Sequence, residues 1–193
     1  MASQEIEFLP QHYYHIYNRG NNQQLIFLED KNYRFFLERL RSVLQPAKVD
    51  LLVYCLMPNH FHLLVSPQIE SDFSNVMRSF SVSYVKSFNS LYRRVGHLYQ
   101  GDFQSRWIET DEYLAHVCRY IHLNPVKAKL VQNPDEWVYT DYRDWISSTL
   151  ENTEANIRLR NNLFSSGKEY QRFVMDFVDE RRMESKVRKF LFG

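Results

Sequence analysis

The chain has little of what marks secreted, membrane-spanning or disordered proteins. Only 5 glycines and 6 prolines occur among its 193 residues, which argues against a linker-rich or disordered chain. The two cysteines, Cys55 and Cys118, both lie in apolar stretches, so we expect reduced core residues and no disulfide framework. No apolar run has the length of a membrane span, and the N-terminus lacks a basic-then-apolar signal pattern. These absences predict a cytoplasmic protein without a membrane partner.

The chain also has almost no excess of charge of one sign, because its formal net charge is only +1. Its distribution is uneven, since five basic residues and a single acid, Asp102, occur between residues 73 and 107. A second basic group follows residue 180. Charge runs are usually solvated helix faces, yet two such groups in one near-neutral chain favour a polyanionic partner. The two groups are Arg78, Lys86, Arg93, Arg94 and Arg106, and Arg181, Arg182, Lys186, Arg188 and Lys189.

The hydrophobic pattern up to Pro125 predicts a β-α-β-β-α-β order, which is the ferredoxin-like arrangement of an antiparallel sheet with helices on one face. The expected class is therefore α+β, with a third helix after the last strand. The expected elements are a strand at 12–18, a helix capped by Asp30 and running to Pro46, a hairpin of strands 50–56 and 60–65, a helix from Asp72 or Ser74 to near Gly96, a strand at 97–109, and a helix capped by Thr110 and Asp111 and stopped by Pro125.

The remainder of the chain predicts a helical C-terminal extension. Residues 133–150 are rich in Trp and Tyr and are expected to cover the core, whereas residues 151–162 are polar and predict a linker or a short helix. From Tyr170 to Val178, apolar residues recur at the spacing of one amphipathic helix. We expect two domains, one over residues 8–148 and a basic helical extension over residues 149–193.

A His-x-His pattern stands in the second strand of the predicted hairpin. Because side chains alternate along a strand, His60 and His62 leave one face while Phe61 points into the core. Two neutral imidazoles on one face form half of a divalent-metal site. The same pattern also suits two histidines that merely line a polar sheet surface, and several unrelated metalloenzymes use it, so it does not name a reaction by itself.

The helix after Asp111 carries a second polar group. Tyr120 and Asn124 are four residues apart and share a face, and His116 lies one turn earlier on the same stripe. A tyrosine on an apolar helix is usually a core residue, and an asparagine before proline usually ends a helix. The functional interpretation depends on the combination of this stripe with a His-x-His strand that lacks further metal ligands.

Three segments resemble a known family: YHIYNRGNN at residues 14–22, YCLMPNHFHLLV at residues 54–65, and CRYIHLNPVKAKLV at residues 118–131. They look like the HUH-class single-strand tyrosine transposases, and in particular the REP-associated tyrosine transposases with their insertion-sequence relatives. HUH denotes His, hydrophobic residue, His, which His60-Phe61-His62 matches. The resemblance extends over roughly residues 12–145, and the order and separation of the last two segments make it specific.

The resemblance implies a DNA transposase that cleaves and rejoins single-stranded DNA through a covalent 5'-phosphotyrosine on Tyr120. It implies that His60, His62 and Asn124 hold a divalent cation, for which we expect Mg²⁺ or Mn²⁺. His116 and His122 flank Tyr120 and are candidates for an extra ligand or for proton transfer. The implied partner is single-stranded DNA with a hairpin, at repeats or element ends, bound by a homodimer or a monomer. Candidate DNA-binding residues are Asn18 and Arg19 of the NRGNN segment, with Arg78, Lys86, Arg93, Arg94 and Arg106.

Two other functions are compatible with the sequence. One is a domesticated HUH endonuclease that nicks repeat hairpins without moving an element of its own. The other is a non-catalytic nucleic-acid-binding module on a ferredoxin-like sheet. The non-catalytic module is disfavoured because all four candidate site residues are present: His60, His62, Tyr120 and Asn124. In a protein that had lost catalysis, nothing would require these four residue types to be kept together.

Overall fold

The computed structural model describes residues 7–147 and 154–177, and its strands form one sheet in the order β2-β3-β1-β4. Strand β1 pairs antiparallel with both β3 and β4. The predicted element order, the α+β class and the helices after the sheet are confirmed. The elements are β1 (Tyr13–Arg19), α1 (Asp30–Leu44), β2 (Val49–Met57), β3 (His60–Pro67), α2 (Phe73–Leu91), β4 (Gln104–Ile108), α3 (Asp111–Lys127), α4 (Tyr142–Ile146), α5 (Glu154–Leu163) and α6 (Gly167–Met175).

The chain divides into two compact units. The sheet unit contains the residues up to 51 together with residues 56–108, and the helical unit contains residues 52–55 together with the residues from 109 onward. The boundary predicted between residues 148 and 149 lies outside the described residues, as does the second basic group after residue 180. Both stay predictions.

In the sheet unit, α1 and α2 pack on the face of the sheet that carries Phe61. The ring of Phe36 on α1 lies 5.1 Å from the ring of Phe61 and 4.8 Å from that of Phe80 on α2. All three side chains are fully buried, so this aromatic cluster forms the centre of the core. Because side chains alternate along β3, His60 and His62 point to the opposite face of the sheet.

In the helical unit, Tyr170 of α6 is the centre of the packing. Its ring lies 4.7 Å from that of Trp145 on α4 and 5.0 Å from that of Phe164. Trp145 also donates from its indole nitrogen to the carbonyl of Leu52 at 3.2 Å. The polar stretch at 151–162 contains α5, so the alternative of a short helix is the one observed there. Val178, the last residue of the predicted amphipathic helix, lies outside the described residues.

In the sheet unit, the cap of α1, the end of α2 and the start of β4 differ from the sequence prediction. Helix α1 is capped by Glu29 and begins at Asp30, because the side chain of Asn32 accepts the backbone N–H of Glu29 at 3.0 Å in a capping box. Helix α2 ends at Leu91, well before Gly96, because Arg93 takes a positive φ of 51°. Strand β4 is shorter than the predicted strand at 97–109, since only its last residues pair with β1.

Helix α3 also continues through Pro125, where the sequence predicted its end. Proline has no N–H to donate to the carbonyl four residues back, which is that of Ile121. The side chain of Asn124 replaces the missing donor, because its Nδ2 donates to the carbonyl of Tyr120 at 2.9 Å and to that of Ile121 at 3.4 Å. The last turn therefore remains helical up to Lys127.

Candidate active site

The two histidines of the HUH pattern lie at the start of β3, directly after the turn of the hairpin. Backbone contacts hold this turn, since Gly20 donates to the carbonyl of Asn59 at 2.7 Å and Ile26 donates to that of Pro58 at 2.8 Å. In the register of β1 and β3, His60 lies opposite Arg19 and His62 lies opposite Tyr17. The two imidazole rings are 5.1 Å apart and nearly perpendicular, at 85°.

A hydrogen bond to Asn59 determines which nitrogen of His60 carries the lone pair. Nδ1 of His60 lies 2.7 Å from Oδ1 of Asn59, an oxygen that can only accept, so Nδ1 carries the proton. In the neutral imidazole the lone pair is then on Nε2. This is the arrangement that protein metal sites use, where the second ring nitrogen donates to a fixed oxygen and orients the ligand.

His62 is oriented in a comparable way by a third histidine, His15. Nε2 of His15 lies 3.0 Å from Nδ1 of His62, and both residues are buried. Desolvation by burial, with a smaller contribution from the positive charge of Arg106, lowers the pKa of His15 to about 3. A neutral His15 can accept the proton of His62 Nδ1 or donate its own to that atom, and when it accepts, the lone pair of His62 is on Nε2 as in His60.

Sequence reasoning missed His15 and Asn59 as supports of the two histidines. Asn59 lies between the two predicted strands of the hairpin and directly precedes His60. His15 belongs to the strand at 12–18, and its contact with His62 depends on the register of two strands that are distant in sequence. The alternation that places His15 and Tyr17 on one face was the available signal, but it did not identify the neighbouring strand.

Tyr120 and Asn124 lie on α3 in the helical unit, one turn apart on one face as predicted. Helix α3 begins after Thr110, whose side-chain oxygen accepts the backbone N–H of Tyr113 at 3.2 Å. Tyr120 and Asn124 each keep 8% of their surface exposed. Since the amide nitrogen of Asn124 donates to its own helix, Oδ1 is the atom of this side chain that suits a cation.

The histidines that flank Tyr120 have partners within the helical unit. Nδ1 of His116 lies 2.7 Å from the guanidinium of Arg119. In His122 both ring nitrogens are engaged, Nδ1 with the hydroxyl of Tyr170 at 2.5 Å and Nε2 with the carboxylate of Asp141 at 3.1 Å. Metal ligation or proton transfer by His122 would require one of these buried hydrogen bonds to break.

The residues of the NRGNN segment make hydrogen bonds within the sheet unit. The side chain of Asn18 is buried, donates to the carbonyl of Gly101 at 3.0 Å and accepts the backbone N–H of Arg19 at 2.8 Å. Arg19 itself is exposed and donates to the side chain of Gln100. Asn18 therefore holds the loop before β4, whereas Arg19 remains accessible to a ligand.

The remaining basic candidates fall into three environments. Arg78, Lys86 and Arg93 are exposed at α2 and its end. Arg94 is held by the protein, because its guanidinium donates to Gln24 at 2.5 Å and lies 5.6 Å from the ring of Phe88. Arg106 lies opposite His15 in the pairing of β1 and β4, so its side chain belongs to the face of the sheet that carries the histidines.

The donor chemistry of these residues fits a weakly held divalent cation. Among residues 7–147 and 154–177, no group of three or more His, Cys, Asp or Glu side chains could hold a metal ion. The ligands expected from the sequence are instead two imidazoles and one amide oxygen, which carry no negative charge, and this ligand set stays a prediction. Such a set suits Mn²⁺ or Mg²⁺ whose remaining coordination positions are taken by water and phosphate oxygens.

Among residues 7–147 and 154–177, every helix is too short or too polar to cross a membrane.

One solved structure agrees with this fold. The structure of a REP-associated tyrosine transposase bound to a REP hairpin superposes with a TM-score of 0.64 and 16% identity, covering 80% of this chain and 96% of that chain. A candidate transposase from Deinococcus radiodurans R1 gives a TM-score of 0.43 and 15% identity, over 63% of this chain and 94% of that chain. No curated protein sequence matches. The family described as "Transposase IS200 like" matches residues 8–124, and the chain therefore belongs to the IS200-like transposase family.

Proposed function

We propose that this transposase cleaves and rejoins single-stranded DNA through a covalent 5'-phosphotyrosine on Tyr120, with a divalent cation held by His60, His62 and Asn124. The observation that carries the proposal is that both imidazoles are held through Nδ1, since Oδ1 of Asn59 lies 2.7 Å from Nδ1 of His60 and Nε2 of His15 lies 3.0 Å from Nδ1 of His62. Two histidines that only lined a polar surface would not need to be held in this way.

The proposed chemistry conserves the energy of the broken bond. The phenolic oxygen of Tyr120 attacks the phosphorus, the bond to the 3'-oxygen breaks, and the leaving strand takes up a proton as a free 3'-hydroxyl. In the reverse direction, a 3'-hydroxyl attacks the phosphotyrosine and releases Tyr120. A bound Mn²⁺ or Mg²⁺ would offset the charge that develops on the non-bridging phosphate oxygens. Asn59 and His15 support this step by fixing the two imidazoles.

We further propose that the substrate is single-stranded DNA beside a hairpin and that the protein is of the REP-associated type. The structurally similar transposase was solved with a REP hairpin, which makes such a hairpin the first substrate to test. The exposed residues Arg19, Arg78, Lys86 and Arg93 are available for backbone phosphates.

The test is adduct formation with a hairpin-bearing single strand and Mn²⁺, read as a protein–DNA band that survives denaturation. Wild-type protein should form the band, and Tyr120→Phe should abolish it while leaving DNA affinity unchanged. Tyr17→Phe is the matched control, because the Tyr17 ring lies on the histidine face, 6.0 Å from the ring of His62. An adduct that persists in Tyr120→Phe but disappears in Tyr17→Phe would contradict the assignment of the nucleophile.

The metal site is tested separately with His60→Ala and His62→Ala combined in one variant. This variant should lose both cleavage and the binding of Mn²⁺, measured by the loss of the free-ion electron paramagnetic resonance signal. Chelation by EDTA should stop cleavage by the wild type, and added Mn²⁺ should restore it. Normal cleavage by the double variant would show that the metal site is wrong.

A further inference from the structure

A half-buried lysine, Lys127, places its terminal nitrogen against the ring of Tyr120. The Nζ atom of Lys127 is 4.8 Å from the centroid of the Tyr120 ring and 5.9 Å from that of Phe177. The Nζ atom is itself buried, although lysine side chains usually extend their charged end into water. We call Tyr120, Lys127 and Phe177 the lysine cluster.

The position of Lys127 on α3 explains how it reaches Tyr120. The two residues are seven apart, which is close to two helical turns, so they share a face with Asn124 between them. A lysine in the last turn of a helix is favourable in any case, because its charge interacts with the helix dipole. That general role is satisfied by a solvated ammonium and does not require the ammonium to lie buried over an aromatic ring.

The segment after α6 supplies the other side of the lysine cluster through Phe177. The guanidinium of Arg119 lies 3.7 Å from the ring of Phe177 and 4.1 Å from that of Phe173. Arg119 also donates to the carbonyl of Phe173 at 3.2 Å, so the segment is fixed next to the residue that precedes Tyr120. Desolvation by burial lowers the pKa of Arg119 to about 10, which still leaves it charged at neutral pH.

Both Lys127 and Phe177 lie beyond the residues that match the family, which end at 124. The contacts around Tyr120 are thus completed by a part of the chain that the family match does not include. This gives the segment after α6 a role at the helix that carries Tyr120.

We propose that Lys127 is a positioning residue for Tyr120, and that Phe177 holds Lys127 in place. The inference rests on the proposed function, since it assigns Lys127 a role in the attack by Tyr120. The ammonium attracts the electron-rich face of the phenol ring and restricts its rotation. Its positive charge also stays beside the ring while the phenolic oxygen forms its bond to phosphorus. Small displacements of a reacting group lower rates strongly, so we expect loss of Lys127 to slow attack without weakening DNA binding.

The experiment compares Lys127→Met, which removes the charge at similar length, with Lys127→Arg, which keeps it. Single-turnover adduct formation with the hairpin-bearing single strand and Mn²⁺ should slow roughly tenfold to a hundredfold in Lys127→Met. Lys127→Arg should remain within about threefold of the wild type, because an arginine also stacks on an aromatic ring. DNA affinity by fluorescence anisotropy and the urea unfolding midpoint should agree among the three proteins. Lys129→Met is the matched control, since Lys129 is exposed two residues later, and it should react at the wild-type rate.

The reaction rates of the Lys127 variants decide whether Lys127 positions Tyr120. An unchanged rate in Lys127→Met overturns this inference alone, and so does a rate in Lys127→Arg that is as low as in Lys127→Met. If Lys127→Met does not fold, Lys127→Gln takes its place with the same expectation. If the wild type forms no adduct, the proposed function and this inference are both overturned. If the wild type forms the adduct and Tyr120→Phe abolishes it, the proposed function stands, and the Lys127 variants then test this inference alone.

Discussion

Two buried tyrosines of the helical unit differ in what their hydroxyl groups contact. The hydroxyl of Tyr170 lies 2.5 Å from Nδ1 of His122, whose Nε2 in turn contacts Asp141. Asp141 also accepts the backbone N–H of Tyr54 at 2.8 Å. The hydroxyl of Tyr142 is equally buried, but it has no hydrogen-bond partner among residues 7–147 and 154–177. The same substitution should therefore have different effects at the two positions.

We predict that Tyr170→Phe lowers the free energy of unfolding by about 1–3 kcal/mol, because it leaves a nitrogen of His122 buried without its partner. Tyr142→Phe should change it by less than about 0.5 kcal/mol, since no hydrogen bond is lost among the described residues. Urea unfolding of both variants measures the difference. Equal losses would show that the His122 contact contributes nothing beyond the packing of the two rings.

The residues of the candidate site could be predicted from the sequence where the repeat of a strand or a helix determines which side chains share a face. His60 and His62 share a face because of strand alternation, and Tyr120 and Asn124 share one because of helical spacing. The supports His15 and Asn59 were not predicted, because their roles depend on side-chain geometry and strand register. Lys127 was missed for a related reason, since in sequence it is an ordinary basic residue in the last turn of a helix.

At the level of elements, the sequence predicted strands and helices well but their ends less well. Helix α3 shows why, because Pro125 is a strong stop signal in the sequence. The side chain of Asn124 supplies the donor that proline lacks, and the helix therefore continues. Helix α2 shows the opposite error, since the turn at Arg93 ends it before the expected glycine. Both outcomes depend on a single local hydrogen bond or dihedral angle that composition does not reveal.

Arg119 of α3 contacts α6 through the ring and the carbonyl of Phe173, in addition to the contact between His122 and Tyr170. We predict that Arg119→Met increases hydrogen exchange of the α6 backbone amides by about tenfold or more, because it removes hydrogen bonds and cation–aromatic contacts worth roughly 1.5–3 kcal/mol. Loss of the desolvation cost of the buried guanidinium offsets part of this effect. Mass spectrometry of peptides covering residues 167–175 measures the exchange.

The control for this experiment is Arg172→Met, which removes an exposed arginine from α6 itself. It should leave the exchange of α6 amides near the wild-type level. If Arg119→Met and Arg172→Met behave alike, the guanidinium between Phe173 and Phe177 does not hold the helix, and apolar packing around Tyr170 is sufficient.

At the level of the whole molecule, a net charge of +1 conceals an uneven distribution of basic residues. The structure separates the first basic group by environment. Arg78 and Lys86 are exposed on α2, whereas the guanidinium of Arg94 is occupied by Gln24 and by the ring of Phe88. The sequence placed these residues in one group, because it gives their charge but not their contacts. We expect only the exposed members to bind backbone phosphates.

Salt dependence of DNA binding tests this separation. Each phosphate contact on a single strand contributes about 0.7 to the slope of log affinity against log salt, so Arg78→Gln with Lys86→Gln should reduce the slope by about 1.4. Arg94→Gln should leave the slope unchanged and lower the unfolding free energy instead, because its charge already serves contacts within the protein. Affinity for a single-stranded oligonucleotide, measured from low to moderate salt, gives the slopes. A reduced slope for Arg94→Gln, or an unchanged slope for the double variant, would mean that exposure does not determine which of these cations meet the DNA.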